Sequence, residues 1–199
     1  MIGILDYGMG NLLSVQKAFE RLGHPATVVR SGREITEADK LVLPGVGAFG
    51  QAMENLKEKK LLAPLRNAVG AGMPLLGICL GLQLLFDGSE EHGHHEGLGI
   101  FRGEVRKIPT DVKVPHIGWN QVHITQKSPL LEGIPDDAFF YFVQSYYVAP
   151  RDEDCVAGTT HYGVTFASVV TRAKVFGVQF HPEKSQTVGL RLLDNFGGL

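Results

Sequence analysis

Pro74-Leu75-Leu76-Gly77-Ile78-Cys79-Leu80-Gly81-Leu82-Gln83-Leu84-Leu85 is an apolar run punctuated by two glycines, too long for one strand and too interrupted for one helix. Pro74 to Ile78 has the length and composition of a buried strand, whereas Leu82, Leu84 and Leu85 belong to a helix, so the chain must turn sharply at Cys79. Glycines two residues before and two after that cysteine let strand and helix approach closely. The side chain at position 79 is then held up on a tight strand-to-helix turn, the geometry of a nucleophile elbow. A helix beginning directly after Cys79 also favours its thiolate. The plainer alternative is a small buried residue at a strand end, which is the ordinary fate of cysteine.

Outward from this turn, the first half of the chain alternates strand and helix. Ile2 to Leu5 reads as a strand, and Leu12, Val15, Phe19 and Leu22 recur at helical spacing until Gly23. Ala26 to Val29 is a second strand. Leu41 to Leu43 is a third, ended by Pro44-Gly45, and a helical region rich in Leu and Lys leads to the run at Pro74. Short apolar strands separated by helices imply a parallel sheet. The second half reads mainly as strands, at Val112 to Ile124, Phe139 to Val148, Cys155 to Thr160, Thr165 to Thr171 and Val175 to Phe180, with a last helix near Thr187 to Asn195. Such a pattern suits a mixed sheet whose later strands are partly antiparallel. Asp87 to Gly97, polar and punctuated by glycine, reads as a mobile surface loop.

A second constellation follows the last apolar strand, at Phe180-His181-Pro182-Glu183. Pro182 stiffens the backbone between an imidazole and a carboxylate, so Glu183 is able to hold one ring nitrogen of His181 while the other faces a nucleophile. Alone, the tripeptide is an ordinary surface turn. Paired with the cysteine elbow it has meaning, because both lie at the carboxyl end of a predicted strand, where open α/β sheets build their sites. Cysteine, histidine and an orienting acid are the components of thiol catalysis.

Composition narrows the remaining classes. With 199 residues, 44% of them hydrophobic, the chain is able to bury a sizeable core, and we expect a single domain over 1–199. The net charge is −2 with basic residues scattered, which argues against a nucleic-acid partner. Two cysteines, Cys79 and Cys155, without paired spacing suit a reducing cytoplasm. No apolar run approaches membrane-spanning length, and a soluble, cytoplasmic protein is expected. No cofactor is expected. His92, His94, His95 and Glu96 crowd one loop but lack the fixed helical spacing of catalytic zinc sites, so no metal is expected either. Gly8-x-Gly10 follows the first strand, yet Leu13 stands where a dinucleotide fingerprint needs its third glycine.

The Gly-x-Cys-x-Gly elbow and the His-Pro-Glu motif, in this order, make the chain similar over essentially its whole length to the class I, or triad-type, glutamine amidotransferases. Supporting stretches are Asp6-Tyr7-Gly8-Met9-Gly10-Asn11, Pro44-Gly45-Val46-Gly47 with Phe49-Gly50, Pro115-His116-Ile117-Gly118-Trp119-Asn120 and His181-Pro182-Glu183-Lys184-Ser185. The resemblance implies a flavodoxin-like three-layer α/β domain with a mixed, mostly parallel central sheet. It implies L-glutamine as substrate and Cys79, His181 and Glu183 as catalytic triad. Backbone amides of Val46 and Leu80 become the oxyanion donors, and Gly47, Gln83, Ser145 and Tyr146 the glutamine contacts. Gln144 stands where the family leads us to expect histidine. The implied partner is a separate cyclase with a (β/α)8 barrel, for which this chain has no room, met through Asn11, Trp119 and Lys184. Rival readings are the glutaminase of an amidotransferase serving anthranilate or pyridoxal phosphate synthesis, against which Lys184-Ser185 and the Trp119 motif argue, and a catalytically silent scaffold, against which the complete triad argues.

Overall fold

A computed structural model describes residues 1–199. In chain order its elements are β1 (Ile2–Leu5), α1 (Leu12–Arg21), β2 (Ala26–Val29), α2 (Gly32–Glu37), β3 (Lys40–Gly45), α3 (Phe49–Glu58), α4 (Leu62–Gly70), β4 (Leu75–Cys79) and α5 (Leu80–Leu84). There follow β5 (Gly88–Ser89), β6 (His95–Glu96), β7 (Gly103–Lys107), β8 (His116–Ile124), β9 (Ala138–Gln144), β10 (Tyr146–Pro150), β11 (Val156–Tyr162), β12 (Val164–Arg172), β13 (Val175–Val178) and α6 (Gln186–Gly198).

Five strands in the order β2-β1-β3-β4-β13 run parallel. This is the flavodoxin-like order, with its fifth place taken by a strand from near the chain's end. Beyond β13 the sheet turns antiparallel through β12, β10 and β7, and β11, β8 and β9 branch from it. Alternation along the central strands divides the core in two. Leu41, Leu43 and Leu75 face one cluster with Ile35, Phe49, Leu56 and Leu65. Val42, Leu76 and Ile78 face the other, with Val15, Phe19, Leu192 and Phe196. Helices α2, α3 and α4 therefore cover one face and α1 and α6 the other, giving the three layers that the resemblance implies.

Local chemistry sets several boundaries. The Asn11 side chain caps α1 by accepting from Ser14 N at 3.2 Å, and Ser31 with Glu34 forms a capping box on α2. Four expectations need correction. β3 does not stop at Pro44-Gly45 but runs through both. Pro44 is tolerated because β1 pairs with β3 only as far as Val42, so the missing N–H costs no bond on that side, and the Pro44 carbonyl is met by the Tyr7 hydroxyl instead. The run from Phe139 to Val148 is two strands, broken at Ser145 where the chain leaves β8 for β7 and β12. The run from Val112 becomes a strand only at His116. Asp87 to Gly97 contains two short paired strands and is pinned by Gly97 N donating to Asp87 O at 2.7 Å. Strand β7, Gly-Glu-Val-Arg-Lys, carries too few apolar side chains to announce itself.

Candidate active site

Three neighbouring parallel strands bring the site together. In register, Gly45 of β3 stands beside Cys79 of β4, and Val178 of β13 beside Ile78. The residues just past these ends, Val46 and Gly47, Cys79 and Leu80, and His181 with Glu183, therefore share one edge of the sheet. Cys79 adopts φ +55° and ψ −110° and is 6% exposed. For a residue with a side chain this is a strained conformation, costing on the order of 1–3 kcal/mol. The glycines make the turn feasible. A Cβ at Gly81 would lie 1.7 Å from Leu43 O, and one at Gly77 would lie 2.8 Å from the Gly81 backbone.

The histidine is fixed from several sides. Its N–H donates to Tyr141 O at 2.9 Å, and its carbonyl accepts from Ser185 Oγ at 2.7 Å. Ser185 Oγ also accepts from Tyr141 N at 3.0 Å, which ties the His-Pro-Glu turn to β9. The imidazole Nδ1 lies 2.9 Å from Glu183 Oε1, with both side chains almost wholly buried. An acceptor there selects the Nδ1–H tautomer and leaves Nε2 free toward the thiol. Nε2 is buried, with the Cys79 sulfur as its neighbour. Burial opposes a charged imidazole, but Cys79 and Glu183 both favour one, and the balance pushes His181 up to about 10 from 6.5. The Cys79 sulfur has the Val143 carbonyl at 3.7 Å and Gln179 Nε2 at 3.8 Å.

Beside the thiol lies a cavity of about 210 Å³, lined by Val46, Gly47, Cys79, Leu80, Gln83, Glu91, Pro115, Val143, Gln144, Ser145 and Tyr146. Every residue expected to supply an oxyanion donor or a glutamine contact is among them. The Val46 N–H has no acceptor in the protein. Gln83 is buried, and its amide donates to Tyr146 O at 3.2 Å and to Gln179 Oε1 at 3.3 Å. Gln144 donates to the same Tyr146 carbonyl at 3.1 Å, while its Oε1 is buried without a partner. Asn11, Trp119 and Lys184 lie away from this cavity. Trp119, 45% exposed, stands on β8 against Tyr141, with exposed Ile117 and Phe139 nearby on the β8–β9 pair. Lys184 is exposed on the turn that carries Glu183.

Sequence reasoning missed two residues. Glu91, from the presumed surface loop, lines the cavity and accepts from Phe49 N at 2.8 Å. Gln179, wholly buried, lies between Cys79 and Gln83. A glutamine within Val175-Phe176-Gly177-Val178-Gln179-Phe180 was the only available signal, since a polar group in such a strand needs a partner. The three carboxylate and imidazole groups that come within 4.8 Å of one another are His123, Asp136 and Asp137, all exposed, rather than the histidines near Glu96.

The profile of the glutamine amidotransferase class-I family matches residues 3–197. The chain is 57% identical over 198 residues to the imidazole glycerol phosphate synthase subunit HisH of Moorella thermoacetica, covering 100% of this chain and 94% of that protein. It is 55% identical to the subunit of the same name from Aquifex aeolicus, covering 97% and 94%. Among solved structures, PurLQS from Thermotoga maritima superposes with a TM-score of 0.78 over 98% of this chain and 96% of that one, at 16% identity, a likeness of fold alone.

Proposed function

The chain belongs to the class-I glutamine amidotransferases, and from that premise we propose that it is the glutaminase subunit of an imidazole glycerol phosphate synthase. It hydrolyses L-glutamine to glutamate and ammonia and passes the ammonia to a cyclase. The observation that carries this reading is the meeting of Cys79 and the His181–Glu183 pair at adjacent strand ends beside the cavity, in a chain more than half identical to proteins bearing that name.

In the proposed reaction the Cys79 thiolate attacks the side-chain carboxamide carbon, and negative charge gathers on its oxygen. Backbone N–H groups of Val46 and Leu80 receive that charge, and donors of this kind are worth about 2.7–4 kcal/mol each. His181, held protonated by its neighbours, gives its proton to the departing ammonia and then takes one from the water that attacks the glutamyl thioester. Glu183 keeps the ring oriented and offsets its charge. Gly47, Gln83, Ser145 and Tyr146 surround the rest of the substrate, and Glu91, the one carboxylate lining the cavity, suits its α-ammonium group.

The partner in this proposal is a cyclase with a (β/α)8 barrel, bound as a heterodimer in the cytoplasm, with Asn11, Trp119 and Lys184 at the contact. It forms imidazole glycerol phosphate and an aminoimidazole carboxamide ribotide used in purine synthesis, within histidine biosynthesis. The test is a coupled assay in the reconstituted complex. Cys79→Ala should abolish glutamine-dependent cyclase turnover and spare turnover fed with ammonium. A glutamine-dependent rate that survives the substitution would remove Cys79 from the reaction.

A further inference from the structure

The segment that follows β1 has no part in the mechanism above, yet it lies along the strand end that carries Val46. Tyr7 is fully buried, and its hydroxyl donates to Pro44 O at 2.7 Å. Contact continues along both stretches. A Cβ at Gly45 would come within 2.3 Å of Tyr7 Oη, one at Gly10 would lie 3.3 Å from Gly45 N, and one at Gly47 would lie 3.3 Å from Met9 Cε. The segment is itself anchored: Asp6 accepts from Gly8 N at 3.1 Å and pairs with Arg30 at 2.9 Å and Lys59 at 3.6 Å, and Asn11 caps α1.

The Pro44 carbonyl and the Val46 N–H belong to successive peptide planes that share the Gly45 α-carbon. Glycine leaves the two torsions between those planes soft, so the second plane has a defined direction only if the first is held. We propose that Tyr7 is a positioning residue for glutamine hydrolysis, its hydroxyl fixing the Pro44 carbonyl so that the Val46 N–H is presented to the reacting carbonyl oxygen. The phenol is suited to this. Burial raises its pKa far above the usual tyrosine value, so it remains a donor at every pH at which the enzyme works.

The inference rests on the proposed thiol mechanism, and the experiment separates the two. Tyr7→Phe is assayed in the complete complex with the cyclase, per competent site as counted by iodoacetamide titration of Cys79. Glutamine-dependent kcat should fall about tenfold, less than the full loss of an oxyanion donor, with KM within about twofold. Ammonium-dependent turnover and the rate of Cys79 alkylation should not change, because displacement at iodoacetamide builds no oxyanion. An unchanged kcat, a rise in KM that accounts for the lost activity, or alkylation slowed in step with turnover would each overturn the proposal. Tyr7→Met, which removes the hydroxyl but keeps a long, adaptable apolar side chain in the buried site, serves if Tyr7→Phe does not fold. It should reproduce the kcat loss, and an undiminished kcat there overturns the proposal equally. If Cys79→Ala keeps its glutamine-dependent rate in the same assay, the thiol mechanism fails instead.

Discussion

His181 is an imidazole whose surroundings favour its charged form, and that charge has a pH signature. Its folded pKa, raised to about 10 from 6.5, means that the native state holds a proton that the unfolded chain releases near 6.5. The stabilisation is therefore complete below about pH 6.5 and is lost as pH rises through about 10. Glu183 contributes part of it through the 2.9 Å contact with Nδ1. In Glu183→Gln the imidazole pKa should fall, as NMR titration of His181 would read. The stability gap between wild type and variant should be widest below pH 6.5 and should narrow toward pH 10 in denaturant melts. Because Glu183 acts through His181, the same variant should lose at most the roughly 10²–10⁴-fold in kcat that a positioned acid–base group contributes. A gap that widens with pH would show that Glu183 does not favour the charged ring.

At the scale of the element, the turn from β4 into α5 holds Cys79 in a conformation that a side chain resists. The positive φ of Cys79 costs stability that only glycine would escape. Cys79→Gly should be inactive and yet more stable than Cys79→Ala by about 1 kcal/mol, read as a higher urea midpoint at equal slope. Equal midpoints would mean that the turn is unstrained. The glycines around this turn were legible in the sequence as a requirement for close approach, and contact of Gly81 with the Leu43 carbonyl accounts for it. Element ends were less legible. Pro44 suggested a stop, but whether proline ends a strand depends on whether a neighbour needs its N–H, and β1 has already ended there. Ser145 divides one apolar stretch into two strands because different partners lie on either side of it, which no periodicity along the chain records.

For the whole molecule, the exposed apolar side chains on the β8–β9 pair and the exposed Lys184 lie outside the cavity beside Cys79, where a partner is able to cover them. Buried aromatic anchors dominate protein interfaces. Trp119→Ala should weaken binding to the cyclase by about 2 kcal/mol, roughly thirtyfold in Kd by titration calorimetry, with the isolated subunit's melting curve unchanged. Lys184→Ala should weaken the same binding by less than Trp119→Ala, and less again at high salt, without change in the isolated fold. Unaltered affinity in either variant would place the contact elsewhere. No helix is long and apolar enough to cross a membrane.

The alternation of strand and helix, the sharp turn at Cys79 and the stiffened His-Pro-Glu loop are all written in the order of the residues, because each depends on side-chain period, size or a fixed φ within a few positions. The folded chain alone brings β13, near its end, beside β4, so that Cys79 meets the segment of Gln179 and His181 across about a hundred residues. It also decided that Glu91 faces the cavity, that Gln179 is buried beside the thiol, and that the hydroxyl of Tyr7 reaches Pro44. Those relations arise from strand order and packing between distant segments. Local preferences specify each segment, and burial of the two apolar faces of the sheet selects which segments become neighbours.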